Sequence, residues 1–379
     1  MLLGFQVYAL TRNPFDLGLL GLVEAIPGIS LVLYGGHVAD RRSRRRILLA
    51  TSTLLILLAA GFATVSAMGP TLPALLLLAF ANGIVRAFDD PAASGLEAQV
   101  VPLTHVMAGV SLMAVTTRLA RVLGPVAGGF AWDLLGPTRT YAAIAVLFSF
   151  STAVLLFGIP EQKLLHQADD GQSAAARIAE GLRYVWRDQI LLGSMALDLF
   201  AVFFGGATAL LPVFATDILH VGPIGFGLLR SASAAGSLVS ALLAGRFLPQ
   251  RRAGTTLLAV IAGFGISMVV FGLSRSLPLS LGALFVAGLC DGTSVVIRRA
   301  ILRLASPDAL RGRIAAVKSV FVGSSNELGA FESGMAAGLL GAPAAVWAGG
   351  LVTLGIVALT AWRAPGLRRL DLVRLAELT

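Results

Sequence analysis

Charged residues are scarce in this sequence: they make up 13% of its 379 residues, where a soluble domain carries about 25%. Only one cysteine is present, Cys290, so no internal disulfide can form, and its apolar surroundings make it a packing residue. The sequence contains no His-Glu-x-x-His, no Gly-x-Ser-x-Gly and no Gly-x-x-x-x-Gly-Lys-Ser/Thr. These absences exclude a soluble globular domain and argue against an enzyme or a P-loop ATPase, so we expect no cofactor and no metal.

Long apolar runs take the place of the missing charge. Hydrophobic residues reach 56% of the chain, and apolar windows at 47–68, 141–159, 255–273 and 346–362 approach or exceed the ~18–20 residues that cross a bilayer. In hydrocarbon every backbone polar group needs a partner inside the structure, so such windows should be helices. The fold class that follows is an all-α membrane protein with several spans.

The pattern of apolar runs and breaks predicts twelve helices. Asn13 is a candidate N-cap for the second, with Pro14 at its first position and Asp16 in its first turn. A polar stretch at 160–189 separates two sets of six. The predicted helices lie near residues 1–10, 15–36, 46–66, 72–92, 105–133, 138–159, 190–216, 223–245, 254–274, 277–298, 310–340 and 343–363.

Basic residues are concentrated in alternate loops. The loops after the even-numbered helices, with the linker and the C-terminal tail, hold 21 of the 29 basic residues, including the run from 298 to 313. The opposite loops hold only Arg12, Arg139 and Arg275. By the positive-inside rule the first set faces the cytoplasm, which predicts a multi-pass protein of the inner membrane with a cytoplasmic C-terminus. The charge therefore indicates a lipid bilayer, not nucleic acid, as the partner.

The two halves of the sequence align when one is shifted by 205 residues. This shift places LGPVAGG (123–129) over LGAFESG (328–334), Gly83 over Gly288 and Pro102 over Pro307. A duplicated six-helix unit is typical of secondary transporters, although glycines also recur in any tightly packed helical bundle. The same shift places the start of the first helix about fifteen residues before Met1, so we expect this helix to be incomplete.

The stretch GHVADRRSRR (36–45) resembles the loop signature of the major facilitator superfamily, in which Gly, Asp-Arg and Gly-Arg-Arg/Lys follow at fixed spacing. Ser43 replaces the second glycine, and the second-half counterpart at 245–252 lacks the aspartate. The resemblance implies a gating loop in which the aspartate contacts the start of the eleventh helix, here at 306–307 near Arg311 and Arg313. Its residues are Gly36, Asp40, Arg41, Arg44 and Arg45. The alternative is an arginine cluster that only anchors the loop.

Further stretches narrow the resemblance to the enterobactin-exporter-like branch, also called the transmembrane secretion effector family. They are RAFDDPA (86–92), EGLRYVWRD (180–188), LLPVFATDIL (210–219), RGRIAAV (311–317), SNELGAFESG (325–334) and APGLRRLD (364–371). The resemblance implies two six-helix bundles and proton-driven efflux of a siderophore or an amphiphilic drug by a monomer. The alternatives are uptake or facilitated transport on the same fold, and a truncated remnant that does not transport.

The fifth helix resembles the antiporter motif of exporters at Gly124, Pro125, Gly128 and Gly129, although the upstream motif glycines are Ser111 and Ala120 here. Small residues four apart allow close helix approach and proline can bend a helix, and ordinary packing explains the pattern equally well. Arg118 and Arg121, one turn apart, are candidates for a cavity that accepts an anionic substrate, or for internal ion pairs.

Ionisable residues inside membrane segments are costly and so are functional candidates. A partly buried carboxyl group can exchange a proton near neutral pH, which makes Asp198 and Glu327 the preferred coupling residues; the alternative is hydrogen bonding between helices. Arg86 lies where the superfamily often has an arginine linked to proton coupling, or else it is an interfacial arginine. The full set of proton-coupling candidates is Glu24, Arg86, Asp198, Glu327 and Glu332.

The organisation that follows has four parts. Residues 1–159 form an N-terminal bundle, 160–189 a cytoplasmic linker, 190–363 a six-helix C-terminal bundle and 364–379 a cytoplasmic tail. Within the linker, Ile178, Leu182, Val185 and Trp186 share one face of a helix opposite a set of charged residues, which predicts an amphipathic helix on the membrane surface.

Overall fold

The computed structural model describes residues 1–101, 103–161, 174–247, 250–307 and 310–373. Nine helices within these ranges are long and apolar enough to cross a membrane, and the all-α fold is confirmed. The first half of the chain forms α1 (Leu2–Thr11), α2 (Pro14–Arg41), α3 (Arg44–Met68), α4 (Leu72–Val100) and α5 (Val106–Gly158). Gly136 has non-helical dihedrals, with φ 74°, and divides α5 into two helices.

The second half begins with α6 (Ala174–Arg187), a helix in the predicted amphipathic segment. It packs on two helices of the C-terminal bundle, with Val185 buried and Trp186 69% exposed; the Ile178 side chain lies outside the described residues. The remaining helices are α7 (Gln189–Gly205), α8 (Leu211–Val213), α9 (Gly222–Phe247), α10 (Ala253–Leu273), α11 (Leu277–Ala305), α12 (Arg311–Leu340), α13 (Ala342–Arg363) and α14 (Pro365–Arg368).

Side-chain caps begin three of the helices. Asn13 caps α2 as predicted, since its Oδ1 accepts a hydrogen bond from the Phe15 amide at 3.1 Å. Ser43 caps α3 through the Arg46 amide, so the serine that departs from the loop signature serves as a helix cap. Asp188 caps α7 by accepting from two backbone amides at 2.9 Å.

Several helix boundaries differ from the sequence-based expectation, although the eleventh predicted helix, near 310–340, is confirmed as α12. The helix start that the loop resemblance placed at 306–307 is not found, because α12 begins at Arg311 after Leu310, which makes no side-chain cap. The predicted helix at 190–216 is interrupted after Gly205 by a short 3₁₀ turn, α8 and a π-helical turn at Phe214–Ile218. Pro212, which lacks an amide hydrogen, lies within this irregular segment.

The two ends of the helical body differ in how the halves are joined. We call one end of the helical body the closed end; it carries the turns at 12–13, 69–71, 136, 219–221, 274–276 and 341. At the closed end, one buried apolar cluster contains side chains of both halves. At the opposite, arginine-rich end, two separate buried clusters are found among the described residues, one in the C-terminal half and one in the N-terminal half. Among the side chains that the structure describes, the halves therefore share a core at the closed end only.

Two glycine contacts join the halves at the closed end. A Cβ on Gly129 of α5 would lie 2.6 Å from the Pro223 carbonyl oxygen of α9, and a Cβ on Gly334 of α12 would lie 2.6 Å from the Gly18 Cα of α2. Both crossings therefore require glycine. The shift of 205 residues that aligns the sequence carries Gly129 to Gly334 and Gly18 to Pro223, so the crossings are equivalent under the repeat.

Candidate transport pathway

The gating-loop arginines bind inside the N-terminal bundle. Arg44 Nη1 donates to the Gly95 carbonyl of α4 at 2.9 Å, and its Nη2 lies 3.7 Å from the Asp40 carboxylate. A Cβ on Gly95 would collide with the Arg44 guanidinium at 2.4 Å, so Gly95 provides space for that group. Arg45 donates to the Leu156 carbonyl of α5. These two predicted loop residues therefore fasten α3 to α4 and α5.

The remaining members of the loop are at the surface. Asp40 and Arg41 are exposed, and a Cβ on Gly36 would meet nothing within 4 Å. The side chains of Arg311 and Arg313, the expected neighbours of Asp40, lie outside the described residues. The role of Asp40 and Arg41 as a latch stays a prediction.

Glu24 and Arg86 lie at one level of the N-terminal bundle. A Cβ on Gly83 of α4, one turn before Arg86, would lie 2.5 Å from the Glu24 carbonyl oxygen of α2. Glu24 is ten residues beyond the start of α2, or roughly 15 Å by helical rise, which is near the middle of a hydrocarbon core about 30 Å thick. Glu24 is half-buried and Arg86 is exposed. Both predicted candidates therefore lie at mid-depth.

Arg230 of α9 approaches this level from the other bundle. It interacts electrostatically with Glu24, and Glu24, Arg86 and Arg230 all lie within electrostatic range of the first residue of the sequence. Sequence reasoning missed Arg230, although a single arginine in an apolar run of membrane-spanning length was the available signal. Glu24 and Arg230 thus place opposite charges on the two bundles within electrostatic range of each other.

Arg118 also links the bundles. Its Nη1 donates to the Ser237 carbonyl of α9 at 3.2 Å, and Ser231 of α9 donates to the Val122 carbonyl of α5 at 2.6 Å. Arg121, one turn further along α5, is exposed. From residue 110 to 121 every side chain of α5 except those of Met113 and Arg118 is exposed. Because side chains are exposed all around these three turns, α5 borders an open space on one side and the surroundings of the bundle on the other.

The antiporter-like glycines pack differently from the expectation. A Cβ on Gly124 would meet nothing within 4 Å, and one on Gly128 would make only ordinary contacts with Leu2 and Met1. The close approach to α9 is made instead by Gly129 and by the Pro125 carbonyl, which lies against Gly227. The only non-helical residue of α5 is Gly136, not Pro125. Of the four predicted motif residues, Pro125 and Gly129 therefore make the close approach to α9 and Gly124 and Gly128 do not; their role as an antiporter motif stays a prediction.

A buried ion pair lies in the C-terminal bundle. Arg298 of α11 is 8% exposed and contacts Asp198 of α7, which is 12% exposed. Arg298 also lies 4.0 Å from Asp291, which is 46% exposed. Arg298 was expected in a cytoplasmic loop; this was wrong, because α11 continues to Ala305 and the buried Asp198 attracts the guanidinium.

The predicted carboxylates of α12 lie apart from this pair. Glu332 is half-buried, eight residues before the helix end, and accepts a weak 3.5 Å hydrogen bond from the neighbouring Ser333 hydroxyl. The side chain of Glu327 lies outside the described residues. The coupling roles of both residues stay predictions.

An ion pair also joins the bundles at the closed end. Arg12 donates to the Asp217 carboxylate at 2.7 Å, and the Tyr8 hydroxyl donates to the other oxygen of the same carboxylate. Arg12 and Asp217 are separated by 205 residues, so they occupy equivalent positions of the repeat. A contact between equivalent positions lies close to the axis that relates the two halves.

Comparison with known proteins identifies related transporters. The family model of the Major Facilitator Superfamily matches residues 3–274. The multidrug efflux pump Tap of Mycobacterium tuberculosis is 28% identical over 369 residues, which cover 93% of this chain and 86% of that protein. The enterobactin exporter EntS of Citrobacter koseri is 23% identical over 318 residues, which cover 82% of this chain and 74% of that protein.

Solved structures share the fold at lower identity. A mutant of the nucleoside transporter NupG superimposes with a TM-score of 0.76 at 12% identity, covering 96% of this chain and 94% of that chain. The inward-open xylose transporter XylE from E. coli gives a TM-score of 0.69 at 16% identity, covering 96% and 89%. These likenesses establish the arrangement of the helices.

Proposed function

The chain belongs to the Major Facilitator Superfamily, and from this premise we propose that it is a proton-coupled exporter of amphiphilic small molecules, working as a monomer by alternating access. Its similarity to efflux pumps over 93% of its length is the observation that carries the proposal. The reaction moves a small molecule across the bilayer in exchange for protons.

The arrangement of charge supports export from the cytoplasm. We place the arginine-rich end on the cytoplasmic side of the inner membrane. This orientation obeys the positive-inside rule and makes the C-terminus cytoplasmic. The separate cores at this end then correspond to a conformation open to the cytoplasm. A transporter in this conformation loads its substrate from inside the cell.

The charges between the bundles favour an anionic substrate. Arg118 and Arg230 lie where the bundles meet, with Glu24 as the carboxylate that interacts with Arg230, and Arg86 and Arg121 are exposed on the helices beside them. Arginine binds carboxylates and catecholate-like anions through its planar fork of donors. Siderophores and acidic amphiphiles are therefore the proposed substrates, in keeping with the relationship to an enterobactin exporter.

Asp40 is proposed as part of the latch for the opposite conformation. In the present structure it is exposed and 3.7 Å from Arg44 of its own bundle. When the halves rock together at the arginine-rich end, the carboxylate can instead approach the positive N-terminal end of α12. Asp40 thus acts when the closed end opens.

Flux through proteoliposomes driven by a pH gradient tests the function. A panel of catecholate siderophores and of anionic and cationic dyes should include a compound whose movement needs the gradient, with its direction identifying export. Asp40→Asn should slow this flux, whereas Asp133→Asn, an exposed site in α5, should not. Gradient-driven movement in the uptake direction, or flux unaffected by the gradient, would contradict the proposal.

A further inference from the structure

Asp291 is an intramembrane carboxylate that the transport pathway described above leaves without a role. It lies on α11 two helical turns before Arg298, and its Oδ1 is 4.0 Å from Arg298 Nη2. Arg298 Nη1 contacts Asp198, and Arg298 Nε donates to the Ser294 carbonyl at 3.3 Å. One guanidinium is thus held between two carboxylates.

The two carboxylates are not equivalent. Asp198 is 12% exposed and in direct contact with the guanidinium, whereas Asp291 is 46% exposed and beyond hydrogen-bond distance. Arginine stays protonated in proteins, so any proton exchanged by this group must enter or leave a carboxylate. The accessible and weakly held Asp291 is the carboxylate better placed to exchange it.

The repeat places Asp291 beside the space between the bundles. The shift of 205 residues carries Arg86 of α4 onto Asp291 of α11. The packing agrees, because Gly83 contacts the backbone of α2 and its equivalent Gly288 contacts the backbone of α9 at Ser233. Arg86 is also exposed, so the two bundles present opposite charges at equivalent positions.

Few other charges surround Asp291. Of the helices packed against α11, α10 contains no charged residue and α7 contains only Asp198. On α9, Ser237 packs at Gly292, and Arg230 lies seven residues, or about 10 Å, nearer the closed end. The side chain of Arg246 lies outside the described residues. On α11 itself, Cys290 is adjacent to Asp291, and Arg299 interacts electrostatically with Arg298.

We propose that Asp291 is the carboxyl group that takes up and releases the coupled proton, and that Arg298 and Asp198 position it. This inference rests on the proposed proton-coupled transport. When Asp291 is ionised, Arg298 is shared between both carboxylates. When a proton from water on one side of the membrane forms an O–H bond on Asp291, Arg298 is left to Asp198 alone, and release of that proton on the other side restores the first arrangement. The change in charge pairing between α7 and α11 is the step that couples protonation to movement.

A distance measurement tests this assignment without requiring the substrate. Cys290→Ser removes the only cysteine, and spin labels are then attached at Met68→Cys and Leu340→Cys, which are exposed positions in the two halves at the closed end. Pulsed electron resonance in nanodiscs reports the distance between them from mildly acidic to mildly alkaline pH. We expect two populations whose ratio changes with pH in this background chain and in the matched control Asp133→Asn.

Asp291→Asn should abolish this dependence on pH, and Asp291→Glu, which keeps the carboxyl group, should retain it with a shifted midpoint. If Asp291→Asn retains the dependence on pH, the assignment is overturned. Loss of the dependence in Asp198→Asn alone would assign the proton to Asp198 instead. A background chain that shows no response would overturn proton coupling itself and the assignment with it. Failure of the inference is therefore distinguishable from failure of the proposed function.

Discussion

The closed end and the arginine-rich end are held together by different kinds of contact. At the closed end, backbone meets backbone across the two bundles, through the Gly18–Gly334 and Gly129–Pro223 contacts. At the arginine-rich end, long cationic side chains tie together helices of one bundle, as Arg44 and Arg45 do. In the proposed alternating-access cycle, contacts between bundles break, whereas contacts within a bundle persist.

The difference has an energetic basis. Glycine contacts depend on shape and on dispersion forces that fall off within a fraction of an ångström, so they are lost completely when the halves separate. An arginine bound to a carbonyl inside one bundle moves with that bundle and keeps its partner. In the proposed cycle the closed end is thus the interface that separates, and the helices joined by Arg44 and Arg45 move together.

Gly334→Leu should change the closed end most. A Cβ at this position would lie 2.6 Å from Gly18, and overpacking of this kind costs about 1–3 kcal/mol, which shifts the equilibrium away from the closed arrangement by roughly 5–150-fold. The rate at which a water-soluble maleimide modifies Leu20→Cys, a position 7% exposed in the shared core, should rise accordingly in the Cys290→Ser background.

Gly355→Leu is the matched control, because a Cβ at Gly355 meets nothing within 4 Å. It should leave the labelling rate at position 20 unchanged. Equal labelling in the Gly334 and Gly355 variants would show that the α2–α12 contact does not hold the closed end together.

Arg44→Ala should affect the stability of the N-terminal bundle. It removes the donor to the Gly95 carbonyl and leaves empty the space that Gly95 provides for the guanidinium. Loss of a charge-assisted hydrogen bond costs about 1.5–3 kcal/mol, so the temperature of unfolding in detergent should fall. Arg46→Ala, at an exposed pair with Glu161, should cost less than about 1 kcal/mol. A larger loss in the Arg46 variant would contradict the internal role of Arg44.

The sequence predicted the helices and the repeat because both depend on local patterns. Apolar runs, Asn13 before Pro14 and the 205-residue shift are all visible in the chain itself, and the equivalent glycine contacts confirm the shift. Asp198 was selected for the same reason, as a carboxylate in an apolar run.

The partners of these residues could not be predicted in the same way. Arg298 was assigned to a loop because basic residues cluster after it, and only the fold shows that Asp198 of a distant helix reaches it. Gly129 rather than Gly124 contacts α9 because the facing side of α5 depends on its rotation within the bundle. Such pairings depend on tertiary geometry, which one sequence without its structure does not specify.

Of these substitutions, Asp217→Asn should change the closed end least. It weakens the pair with Arg12 at the closed end, where both side chains are substantially exposed, and such pairs contribute about 0.2–1 kcal/mol. Labelling at position 20 should therefore rise only modestly, and Asp133→Asn should not change it. Because Arg12 and Asp217 occupy equivalent positions of the repeat, exchanging them as Arg12→Asp with Asp217→Arg should restore the slow rate. Additive effects of the two exchanges would show that the pair does not couple the halves.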